Sequence, residues 1–158
     1  MTDTAMIETA SESRPTARVT RHLSFPPDKI FRAWIDPSIA IRWFGGTNDG
    51  PTDVTMDPRV GGAYRITFSP TSRLEGIYRR VDPPRCLIFT WVHVSTLDDG
   101  AEKRSLESQV TITLSEVGDG TDVEILHEAL TDEAGRASVT EGWGLSLEKL
   151  QTLLSKGA

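Results

Sequence analysis

The spacing of apolar residues changes period three times along the chain. Ala17, Val19, Leu23 and Phe25 alternate with Arg18, Thr20, His22 and Ser24, the two-residue period of a half-buried strand, and Arg21 falls in the apolar phase. Pro26-Pro27 stops that strand. Pro27 suits the first turn of a helix, in which Ile30, Phe31 and Trp34 recur at helical spacing. Asp36-Pro37-Ser38 interrupts it, and a second short helix carrying Ile39, Trp43 and Phe44 ends at Gly45-Gly46.

From Asp53 to Leu130 the two-residue period returns in short runs separated by turns. Val54 and Met56 form one strand, Gly61-Gly62 reads as a bulge or turn, and Tyr64, Ile66 and Phe68 alternate with Arg65 and Thr67. A strand from Gly76 to Val81 must end at Asp82-Pro83-Pro84, where proline cannot continue a ladder. Leu87, Phe89, Trp91 and His93 share one face of the next, opposite Ile88, Thr90, Val92 and Val94, and Asp98-Asp99-Gly100 marks a hairpin. Val110, Ile112 and Leu114, the turn Gly118-Asp119-Gly120, and Val123, Ile125 and His127 complete an antiparallel meander. The helical period then resumes. Trp143, Leu147, Leu150 and Leu154 form one apolar stripe, and the closing helix is expected to open at Gly142-Trp143.

These elements predict an α+β domain, a curved antiparallel sheet wrapped around the last helix, with two short helices at one end. Residues 1–15 are small, polar and aperiodic and read as a disordered tail, leaving 16–158 as a single domain. The formal charge of -6 argues against general affinity for nucleic acid or anionic membranes. A local basic patch at Arg79-Arg80 or Lys103-Arg104 stays open, with solvated strand ends as the plainer reading. A single cysteine, Cys86, forms no internal disulfide, and neither a secretory leader nor a membrane-length apolar run is visible, so the cytoplasm is the expected compartment.

In order along the chain, Arg21, Pro26-Pro27, Phe31-Arg32-Ala33-Trp34, Asp36-Pro37, Trp43-Phe44, Asp57-Pro58-Arg59 with Gly61-Gly62, Gly76 with Tyr78, Leu87 to Trp91, Gly120-Thr121, His127-Glu128 and Gly142-Trp143 form a pattern. It resembles that of the homologues of the heat-shock chaperone ATPase activator, within the START and Bet v 1-like helix-grip superfamily. The resemblance implies a sheet of six or so strands gripping a long C-terminal helix around an internal cavity. It also implies binding of lipid-like or polyketide-like molecules, chemistry in a minority of members, and a chaperone as a further partner. The chain departs from the pattern in having Val139 where many members have histidine, and Cys86 where many have arginine.

No catalytic signature stands out. Arg21, His93 and His127 fall on strand phases directed inward, where a charge needs a partner. Arg21 is read as structurally paired or as a ligand-recognising group, and each histidine as a satisfied cavity residue or a proton carrier. Cys86 beside Arg85 is an inert packed thiol or one with a lowered pKa. His22 faces outward, which leaves no histidine, cysteine or aspartate set at metal-ligand spacing, and no cofactor is expected. The aromatic residues exceed what a thin core needs, so they are expected to line a cavity. Its expected lining is Arg21, Trp34, Trp43, Phe44, Met56, Tyr64, Ile66, Phe68, Tyr78, Phe89, Trp91, His93, Ile112, Ile125, His127, Trp143 and Leu147. The expected function is binding of a small hydrophobic or amphipathic ligand. A cyclase-, dehydratase- or hydrolase-type enzyme and a chaperone-interacting module are the alternatives, and a homodimer stays open.

Overall fold

A computed structural model describes residues 14–45, 50–130 and 132–157. Most of the expected tail, 1–13, and the Gly46 end of the second helix lie outside the described residues. The elements run β1 (Ala17–Leu23), α1 (Pro27–Ile35), α2 (Pro37–Ala40), β2 (Asp53–Met56), β3 (Ala63–Ser69), β4 (Ser72–Asp82), β5 (Cys86–Thr96), β6 (Glu102–Arg104), β7 (Ser108–Val117), β8 (Gly120–Glu128) and α3 (Glu133–Ser155). All strands join one antiparallel, eight-stranded curved sheet in the order β1-β8-β7-β5-β4-β3-β2, with short β6 paired to β5. This is the helix-grip architecture, with eight strands where six or so were expected. Among the described residues no helix is long and apolar enough to cross a membrane.

Capping explains where the helices begin. Asp36 accepts a hydrogen bond from the Ser38 amide at 3.0 Å and starts α2 after α1 has ended on the same residue. Asp132 does the same for α3, accepting from the Gly135 amide at 2.8 Å. The closing helix therefore opens well before Gly142. Its first turns carry Glu133, Arg136 and Glu141 without an apolar stripe, so hydrophobic spacing could not reveal them. Likewise β4 begins at Ser72 rather than Gly76.

The sheet's inner face supplies Val19, Tyr64, Ile66, Leu74, Phe89, Val110, Ile112, Val123 and Ile125 to a core completed by α1 and by Leu147, Leu150 and Leu154 of α3. Each fully buried large side chain contributes about 1.5–3 kcal/mol. One local device sets the geometry of β3 to β5. The Tyr64 hydroxyl donates to the Thr90 carbonyl at 2.5 Å, and the Ile77 amide turns to the Thr90 hydroxyl at 2.9 Å. The Tyr64 ring crosses β4 at Gly76, where a Cβ would lie 2.6 Å from Tyr64 Cε2 and 2.0 Å from the Thr90 oxygen. Only glycine fits there.

On the surface, Arg104 pairs with Glu75 at 2.6 Å, Arg80 with Asp82 at 3.4 Å and Arg79 with Glu107 at 3.8 Å. These arginines are compensated by carboxylates rather than gathered into a basic patch. Arg14 hydrogen-bonds the carbonyls of Ala129 and Leu130, and the Leu130 amide donates to the Pro15 carbonyl. The chain is thus tied to the end of β8 before β1 begins.

Candidate functional site

Ser138, Gly142 and Ser146 follow one another at single-turn spacing on α3 and present little side-chain volume to the sheet. A Cβ at Gly142 would meet nothing within 4 Å. The space they leave is a cleft of about 430 Å³, bounded across from α3 by Phe68, Ser72, Leu74, Trp91 and His93, and at one end by Phe44 and Gly45. Val139 and Trp143 complete the helical wall. Phe68 reaches the cleft from a bulge, since the β3–β4 register shifts between Thr67 and Ser69. Phe44 stacks with Trp91 at 6.2 Å between ring centroids and meets Trp143 edge-on at 5.6 Å, forming an aromatic floor.

Behind Phe44 the interior is closed. Trp34, Phe44, Met56, Tyr64, Ile66, Tyr78, Leu87 and Phe89 surround a void of about 10 Å³. That is no larger than roughly one water molecule requires. Trp34 Nε1 is buried there among rings without a hydrogen-bond partner among the described residues, an arrangement that costs about 1–3 kcal/mol.

The two inward histidines have different environments. His127 is fully buried. Trp143 Nε1 can only donate, so His127 Nδ1 accepts from it at 3.2 Å. The proton therefore sits on Nε2, which donates to Ser108 Oγ at 2.8 Å, and that hydroxyl continues to the Trp91 carbonyl at 3.4 Å. Burial pushes the His127 pKa down to about 4. With both nitrogens engaged and neutral, His127 pins α3 to the sheet and offers no lone pair for proton abstraction. His93 lies half-buried on the cleft wall, with Nε2 3.0 Å from Ser72 Oγ and Nδ1 3.3 Å from Ser95 Oγ. Burial lowers its pKa from the usual 6.5, so the ring is neutral at pH 7.

The expected lining is thereby divided. Phe44, Phe68, Trp91, His93 and Trp143 border the cleft, whereas Trp34, Met56, Tyr64, Ile66, Tyr78 and Phe89 pack around the closed void, with Phe44 shared. Trp43, Ile112, Ile125 and His127 are core residues that border neither space, and Trp43 donates its indole N–H to the Ala33 carbonyl at 3.1 Å. Arg21 keeps its strand phase toward α3, but at the sheet's β1 edge it is exposed rather than enclosed. Its guanidinium donates to the Thr20 carbonyl and lies beside Gly144 of α3, in a separate shallow crevice shared with Leu147 and Glu148. On an edge strand even the helix-facing side borders solvent, so a long side chain there keeps its charged end in water, and strand phase does not register that. Cys86 also differs from the lowered-pKa reading, since burial raises its thiol pKa and Arg80, not Arg85, is the cation offsetting this. His22 is exposed and pairs with Asp122 at 2.7 Å. Missed were Gly45, Ser72, Leu74, Ser138, Val139, Gly142 and Ser146. For Ser138, Gly142 and Ser146 the signal was the run of small residues at four-residue spacing on a helix otherwise rich in leucine. Among the described residues no three histidine, cysteine, aspartate or glutamate side chains gather to hold a metal ion.

Residues 24–155 match the family described as activator of Hsp90 ATPase homolog 1-like protein. The chain belongs to this family. Among solved structures, protein MLL2253 from Mesorhizobium loti is 25% identical, with a TM-score of 0.76 over 91% of this chain and 99% of that one. DynU16, from the dynemicin biosynthetic locus, is 21% identical, with a TM-score of 0.74 over 90% of this chain and 48% of that one. PFC0360w, an HSP90 activator from Plasmodium falciparum, is 17% identical, with a TM-score of 0.68 over 89% of this chain and 96% of that one. The last two likenesses establish shared fold alone. No curated protein matches the chain.

Proposed function

We propose that this member of the Hsp90 ATPase activator homologue-like family is a binding protein that holds a small hydrophobic or amphipathic molecule between α3 and the sheet. The observation that carries this reading is the cleft of about 430 Å³ beneath the small-residue face of α3. Its size falls within the roughly 300–1,000 Å³ of ligand sites, and its aromatic walls with few polar groups match their usual chemistry. The relation in fold to a protein of a natural-product biosynthetic locus supports a lipid-like or polyketide-like guest. An acid–base enzyme is less well supported, because His127 is engaged at both nitrogens and the hydrogen-bond partners of His93 are serines rather than carboxylates.

The test is a thermal-shift and tryptophan-fluorescence screen of sterols, fatty acids and aromatic polyketides. Ligands that raise the melting temperature should quench emission from Trp91 and Trp143. They should lose affinity in Gly142→Leu, which places a side chain in the cleft. Failure of every class to bind would remove the proposal, and recovery of a chemically altered ligand would replace it with the enzymatic reading.

A further inference from the structure

Resting on the binding reading, we infer that the cleft selects guests whose polar end is uncharged, an alcohol, ketone, lactone or amide, and discriminates against carboxylates of the same shape. The described lining residues are Phe44, Phe68, Leu74, Trp91, Val139 and Trp143, two glycines, three serines and His93, with no arginine, lysine, aspartate or glutamate among them. A carboxylate placed against these walls would lose hydration without gaining a counter-ion, and an unpaired buried charge is far costlier than a hydrogen-bonded neutral group.

The cations nearest these walls are already engaged by protein acceptors. Arg21, which strand phase suggests as a structurally paired or ligand-recognising group, is on the far side of α3's packed stripe, in the crevice with Leu147. Lys149 stands behind the Gly45 end of the cleft, outside its lining, where its ammonium donates to the Gly45 carbonyl at 3.2 Å. Arg73 joins β4 directly after Ser72 but pairs with Glu75 and Glu102, both at 3.0 Å.

Neutral recognition, by contrast, is built into the wall. Ser72 Oγ, the imidazole of His93 and Ser95 Oγ form a chain of two hydrogen bonds. Each hydroxyl can rotate and the neutral ring holds one proton, so the Ser72–His93 pair can offer a guest either a donor or an acceptor. The neutral state of His93 follows from its half-burial and from serine rather than carboxylate partners. The aromatic floor of Phe44, Trp91 and Trp143 then takes a flat apolar body lying against it. The inferred guest is a flat, largely aromatic molecule bearing a neutral oxygen or amide function, rather than a fatty acid.

The experiment uses naphthalene-2-carboxamide and naphthalene-2-carboxylate, which share size and shape but differ in charge at pH 7. Each is titrated into the ¹⁵N-labelled full chain, and amide shifts are followed at Ser72, His93, Val139 and Gly142. The carboxamide is expected to bind at least about tenfold more tightly. Ser72→Ala should weaken it by about fivefold while leaving the carboxylate unchanged. Ser138→Lys, which places a cation on the exposed rim of α3, should strengthen the carboxylate severalfold with little effect on the amide. Equal affinities, or a preference for the carboxylate in the unmodified chain, would overturn the inference while leaving the binding reading intact. Absence of shifts at the cleft with both probes would overturn both.

Discussion

The two halves of α3 face the same sheet with opposite consequences. Toward the C-terminus Leu147, Leu150, Leu153 and Leu154 are buried and close the interior, while toward the N-terminus Ser138, Gly142 and Ser146 leave a cleft of about 430 Å³. Trp143 stands at the junction, in contact with Trp34, Phe44 and Trp91 and bonded to His127. A helix of 23 residues thus serves as core and as pocket wall according to side-chain volume alone. Abundant aromatic residues do not by themselves make a cavity. Around the inner void they interlock, with Trp34 and Phe89 at 6.5 Å and Tyr64 and Phe89 at 5.4 Å between ring centroids. Opposite small residues they leave room.

The contrast is broken most severely at its junction. Trp143→Ala should destabilise the fold by about 3–5 kcal/mol, since it empties a buried site and strands His127 Nδ1. Urea denaturation measures this, and a loss under about 1 kcal/mol would contradict the anchoring role.

Acid should loosen the same joint. His127 has a pKa near 4 in the folded chain against the ordinary 6.5 when unfolded. The unfolded state therefore takes up a proton first as pH falls. Stability is complete above pH 6.5 and declines between there and about pH 4, by roughly 3 kcal/mol from this residue. Comparing the pH dependence of unfolding in the unmodified chain and His127→Gln isolates that contribution. Identical slopes would show that the imidazole is solvated.

The smallest effect sharpens the comparison from the open side. Gly142→Ala should stabilise the protein by about 0.5–1 kcal/mol, because a helix-interior glycine gains a Cβ that meets nothing within 4 Å. Destabilisation on chemical denaturation would mean that the cleft is narrower than described.

Much of this architecture was legible in the sequence. Alternation marked the strands around Val19, Tyr64, Phe89, Ile112 and Ile125, and the stripe from Trp143 to Leu154 marked the second half of α3, because burial on one face imposes a period. The first half of α3 left no such trace, since its inward residues apart from Val139 are small or polar and its start depends on the Asp132 cap. The site was less visible for a related reason. A pocket is made by what is absent at Gly142, Ser138 and Ser146, and a hydrophobicity pattern records only what is present. His127 and His93 were equivalent by strand phase. They separate only through Ser108, Trp143, Ser72 and Ser95, partners brought from other elements by the fold.

The central claim is that the open side of α3, not the aromatic interior behind Phe44, receives the guest. The most direct measurement is amide chemical-shift mapping with a ligand found in the screen. The account expects the largest changes at Ser72, His93, Val139, Gly142 and Ser146, lost in Gly142→Leu. Largest changes at Met56, Tyr64, Tyr78 and Leu87, persisting in Gly142→Leu, would contradict it and place the guest in the inner void.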